Sequence, residues 1–201
     1  MKKSKIIITA IISLAIIAQS CEKQFTRIVG YGPIVSETLQ LADFTKIYMT
    51  GADDVYITFG DEQKVEVEGH GNIINHINTR VNNTTWDLEL EDGNYGSYEL
   101  TYYITIPSLE KLRNTGSGNV TIMNSNQQGY FELSIIGSGS FYGFPLTSNE
   151  VLVDILGSGI VEITAVNQLE VDIEGSGNVY YKGNPNILMN VTGSGRIKNS
   201  N

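Results

Sequence analysis

The chain has 201 residues, a formal net charge of −9 and only 17% charged residues, against 21 glycines. This length suffices for one domain with a real core. The acidic balance excludes a nucleic-acid partner, because holding phosphates needs clustered Lys and Arg, and the sequence has no such cluster.

At the N-terminus, Lys2, Lys3 and Lys5 precede an apolar run from Ile6 to Ala18, broken only by Thr9 and Ser13. The run is too short to span a bilayer comfortably. A basic head, a short apolar stretch and small residues after it are the pattern of a secretory signal. Residues 1–20 are therefore expected to be a signal peptide. The only cysteine, Cys21, follows Ile17-Ala18-Gln19-Ser20. This end resembles a bacterial lipoprotein signal, which implies lipidation of Cys21 and a membrane as partner through the acyl chains. Residues 21–40 read as a tether and residues 41–201 as the folded domain.

Beyond the tether, the governing feature is Gly-Ser-Gly, which starts at Gly116, Gly137, Gly157, Gly175 and Gly193. A repeat every 18 to 21 residues marks a chain that climbs in coils. Four places before each copy stand Leu112, Leu133, Val153, Val171 and Met189. Two places before stand Asn114, Ile135, Ile155, Ile173 and Val191. Four places after stand Val120, Phe141, Val161, Val179 and Ile197. Only Asn114 breaks the apolar rule. Polar residues alternate with these positions, which is the period of a half-buried strand. Each copy thus reads as strand, tight corner, strand, and a flexible Gly/Ser linker is excluded by its flanks.

Weaker copies extend the pattern backward. Gly51 and Gly69 carry apolar residues at matching offsets, and a third copy centres near Asp92-Gly93. The expected fold is all-β: a right-handed parallel β-helix, three-sided, of about eight coils from Phe44 to Asn199. Residues 86–106 are expected to make a hairpin excursion, with its turn at 92–97. Trp86, in phase with Leu88 and Leu90, is expected in the core.

His70 and His76 are the only histidines, and two histidines without a carboxylate arrangement make a poor metal site. No metal and no cofactor are expected. The place after each Gly-Ser-Gly holds Asn119, Ser140, Ile160, Asn178 and Arg196 rather than aspartate, which excludes a calcium β-roll. The repeat serines lack a phased histidine, so they read as corner residues and not nucleophiles. Asp154 and Asp172 fall on one outward row and read as a solvated acidic face that could touch a ligand. Tyr95 and Tyr98, in the expected hairpin, are the aromatic candidates for ligand contact.

The run from Phe44 through Gly51 to Val65-Glu66-Val67-Glu68-Gly69 resembles the opening of the auto-transporter adhesin head (GIN) domain. So do Ile106-Pro107-Ser108-Leu109-Glu110-Lys111-Leu112 and the Gly-Ser-Gly copies that follow. The resemblance covers about residues 38–199. It implies a right-handed β-helix in an envelope protein of the Bacteroidetes type, with no catalytic residue to carry over. The resulting expectation is a non-catalytic, adhesin-like lipoprotein of the cell envelope, at the outer membrane, with a glycan or another envelope protein as partner. The competing expectations are a carbohydrate-active β-helix enzyme and an envelope signalling accessory.

Overall fold

The computed structural model describes residues 26–201. In chain order the first strands are β1 (Arg27–Ile28), β2 (Ile34–Leu39), β3 (Lys46–Gly51), β4 (Asp54–Phe59) and β5 (Lys64–His70). A one-turn helix α1 (Gly71–Ile74) precedes β6 (Val81–Asn82), β7 (Thr85–Leu88), β8 (Asn94–Tyr95), β9 (Leu100–Ile106), β10 (Lys111–Gly116) and β11 (Asn119–Ile122). The rest is strand and corner: β12 (Asn126–Gly137), β13 (Ser140–Gly157), β14 (Ile160–Gly175), β15 (Asn178–Lys182), β16 (Asn186–Gly193) and β17 (Arg196–Asn199).

These strands build a parallel β-solenoid of about four turns. One side is β7, β3, β10 and the Gly-Ser-Gly-leading halves of β12, β13 and β14, ending at β16. A second side begins after each corner: β9, β4, β11, the starts of β13 and β14, then β15 and β17. A third is formed where Asn126–Gln128 pairs with Leu146–Ser148 and on to Thr164 and Ala165.

The corners explain why glycine recurs. Gly51, Gly116, Gly137, Gly157, Gly175 and Gly193 stack vertically, each with φ between +123° and +140°. That backbone region strains any residue with a Cβ. The carbonyl of each except Gly193, the last of the stack, accepts the N–H of the serine one coil above, as in Ser176 N–H to Gly157 O at 2.8 Å and Ser194 N–H to Gly175 O at 2.8 Å. The serines between the glycines are exposed.

Inside, the phased apolar positions stack as ladders. Ile47, Leu112, Leu133, Val153 and Val171 are register partners in turn, and all are buried. Phe131 stacks on Phe141 with ring centroids 5.3 Å apart. Trp86 is fully buried at the base of this ladder, against Phe44 and Tyr102, and its indole N–H donates to Asn78 O at 2.8 Å. At the other end Met189 and Val191 hold inward phase but are 68% and 38% exposed, because no described coil covers β16.

The coil count differs from expectation. Gly51 and Gly116 are direct neighbours despite the distance between them in sequence. Gly69 is not a coil corner: it lies in β5, which runs antiparallel to β2 and to β9. Gly93 precedes β8, which pairs with β1 and not with the coil stack. Residues 60–110 therefore return to the stack with β7 and β9 as its first layer, and β5 and α1, joined by β2 from before the stack, fold over that end. The hairpin in this part turns at Asn83 and Thr84, which have φ of 48° and 61°, not at 92–97. Two successive left-handed residues make the tight turn that fits strand twist. Within the segment expected as a tether, Ile34–Leu39 is a strand. The signal peptide and Cys21 lie outside the described residues.

Candidate functional site

Asp154 and Asp172 are brought together. They are register partners on β13 and β14, both exposed, on the outward face of the first side. Asp172 is tied to the next strand: Asn190 Nδ2 donates to its two oxygens at 3.2 and 3.3 Å. With Leu152, Glu170, Glu174 and Leu188 they line an open groove. Its walls alternate carboxylates with leucines along the axis, since Leu152, Glu170 and Leu188 share one row.

Tyr95 and Tyr98 lie elsewhere, at the β8 end, and are half-buried. Their rings meet edge to face at 6.3 Å, and His76 meets Tyr95 at 5.8 Å. Both tyrosines pack against the core. The Tyr95 hydroxyl is buried without a hydrogen-bond partner. Burial pushes both phenols up, helped for Tyr95 by the charges of Glu91 and Asp92 and for Tyr98 by that of Asp53. The structure does not bring these tyrosines to the aspartates.

A second cleft, of about 690 Å³, was not visible as a motif. It opens on the first side where β3, β10 and β12 meet. Tyr48, Tyr130, Lys46, Lys111, Gln128 and Glu132 line it. Lys111 Nζ sits 2.6 Å from Glu132 Oε1 and 5.8 Å from the centre of the Tyr48 ring. The Glu132 hydrogen bond raises the pKa of Lys111, against the opposing effect of its partial burial. Partial burial raises the Tyr130 phenol, and the Glu132 carboxylate adds to it. Gln128 Nε2 donates to Leu109 O and Tyr130 O, both at 2.7 Å. Charges here are paired, rings are available and the amide is tied to backbone, which suits a polar, uncharged ligand. The sequence signal was present in Lys46 and Lys111, which share an offset five before Gly51 and Gly116.

No hydrogen bond joins a histidine to a serine among the described residues. His70 Nδ1 instead accepts the Glu99 N–H at 3.3 Å. Among the described residues no helix is long and apolar enough to cross a membrane.

Comparison with known proteins gives a family. The profile described as "Putative auto-transporter adhesin, head GIN domain" matches residues 43–155 and 129–185. The chain has no match among curated proteins. Among solved structures, the chain is similar to a "putative adhesin" of Bacteroides fragilis at 20% identity and TM-score 0.58, covering 86% of this chain and 100% of that one. It is also similar to a "putative adhesin" of Parabacteroides merdae, at 14% identity and TM-score 0.49, covering 87% and 99%. A third, a "putative lipid binding protein" of Parabacteroides distasonis, has 18% identity and TM-score 0.49, covering 88% and 100%.

Proposed function

Because the chain belongs to the auto-transporter adhesin head (GIN) family, we propose that it is a non-catalytic, adhesin-like binding protein, held to the cell envelope by lipid on Cys21 and displayed outward from the outer membrane. Its mechanism is passive. A solenoid whose coils are locked in register by stacked corners offers side chains at fixed spacing, and a rigid surface loses little entropy on binding. The observation that carries the reading is the vertical register of the corner glycines, which makes the outward rows of the two sides flanking them straight, evenly spaced lines. A glycan or another envelope protein is the partner class.

The anchoring half is tested by growing cells with a labelled fatty acid. Wild-type protein is expected to carry the label and to sediment with membranes, and Cys21→Ser to lose both. A Cys21→Ser protein that stays with the membrane would overturn the anchor.

A further inference from the structure

The second side of the solenoid carries an outward row of tyrosines. Tyr103, Tyr56, Tyr142 and Tyr180 lie on one line across neighbouring strands of that side. Tyr103 and Tyr56 are adjacent and stacked, with centroids 5.5 Å apart and planes 16° apart. Beyond them the row is interrupted once between each pair of tyrosines, by Thr121 and then by Glu162. Strands lie about 4.8 Å apart, so Tyr56, Tyr142 and Tyr180 recur roughly every 9.6 Å. Tyr103 is 41% exposed and Tyr142 36%.

Sheet packing accounts for part of this row. Cross-strand aromatic pairs stabilise a sheet, and that explains Tyr56 with Tyr103. It leaves Tyr142 unexplained, since its register neighbours are Thr121 and Glu162 and its ring stands in solvent.

We infer that this row is a binding track for an extended, neutral, β-1,4-linked glycan lying along the solenoid axis. A pyranose ring has an apolar face and a polar rim, and a tyrosine offers the matching flat ring with a polar tip. In an extended β-1,4-linked chain each sugar is turned over relative to the last. The same ring face therefore recurs once per disaccharide, a length close to two strand spacings. Thr121 and Glu162 stand where the intervening sugars would present hydroxyls. Charge favours a neutral chain: Glu68 accepts the Tyr103 hydroxyl at 3.3 Å and Glu162 interrupts the row, so an anionic polymer would meet these carboxylates. Cations stand only at the two ends of the row: Lys64, 2.8 Å from Glu66 Oε2 beside Tyr103, and Lys198, 5.6 Å from the centre of the Tyr180 ring.

The inference rests on the binding-protein reading and names its ligand class. It is tested by titrating the purified chain with cellobiose, cellohexaose and chitohexaose, with polygalacturonate as the anionic control. Expected are hexasaccharide binding at least about tenfold tighter than disaccharide binding, as more rings engage, and no binding of the anionic polymer. Tyr142→Ala and Tyr180→Ala should each weaken hexasaccharide binding by about tenfold or more, and Tyr142→Phe should keep it. Circular dichroism verifies the fold of each variant. Equal affinity for disaccharide and hexasaccharide, or binding indifferent to both alanine variants, would overturn the track. Absence of binding by folded wild type would also overturn it, leaving the Cys21 result to decide the wider reading. A protein partner lost in both alanine variants would replace the glycan.

Discussion

Asn114 Nδ2 donates to the carbonyl oxygen of Gly118 at 2.7 Å, inside the coil stack. Asn114 is fully buried, in the ladder between Met49 and Ile135, and so fills the one inward position that breaks the apolar pattern. Its bond closes the corner that follows it, while its Oδ1 has no partner. Asn114→Ala should cost about 2 kcal/mol, from the lost bond and the cavity. Asn114→Asp should cost more at pH 7, since a carboxylate would be buried facing a carbonyl, and should recover in acid. Urea midpoints at pH 7 and pH 4 check both.

Glycine at the corners is required by shape and by contact. Gly175 has φ +130°, and a Cβ there would strike the carbonyl oxygen of Gly157 in the coil below. Gly175→Ala should therefore lose at least about 2 kcal/mol. Gly129, with open space around it and no positive φ, is the control, and Gly129→Ala should stay within about 0.5 kcal/mol of wild type. Equal losses at the two positions would contradict the corner account.

Inward and outward positions alternate one residue apart, so neighbours in sequence should respond differently. Val171 is 1% exposed and Glu170 is exposed. Val171→Asp buries an unpaired charge between coils and should cost about 4 kcal/mol or prevent folding. Glu170→Gln should be nearly silent. Thermal melts of the two variants side by side make the comparison.

Asp53 sets a pH dependence. Burial, and secondarily the charge of Asp54, raise its pKa from 3.8 to about 6. The folded state therefore keeps this proton longer than the unfolded chain does. The contribution to stability is fully present below pH 3.8 and is lost as pH rises through about 6. The loss is at most about 3 kcal/mol. Asp53→Asn should flatten this part of the stability profile between pH 4 and pH 7, measured by urea unfolding. A slope unchanged by the substitution would remove Asp53 as its source.

Much of the stack was legible. Leu133, Val153 and Val171, with Ile135, Ile155 and Ile173, announce one buried face, and the glycine triplets announce the corners. What failed was the count of coils. Val65 and Val67 alternate with polar residues just as a coil strand does, yet they lie in an antiparallel strand over the end of the stack. Period two reports which face is buried, not which strand is the neighbour or in what direction it runs. That choice is made by long-range pairing, which lets Gly51 meet Gly116 directly. The tyrosine row has a signal in the sequence. Tyr56, Tyr142 and Tyr180 each stand five places after the first glycine of a corner, one past the buried position. Tyr95 and Tyr98 lie in a segment that is irregular in sequence, and that segment folds back so that both rings pack against the core.

Display at the cell surface is the point on which the whole account turns. A membrane-impermeant amine reagent applied to intact cells would reach exposed lysines such as Lys64 and Lys198 if the solenoid faces outward. The predicted result is labelling of the wild-type protein on whole cells to the same extent as after lysis. Labelling only after the envelope is broken would place the solenoid inside and contradict an adhesin-like role.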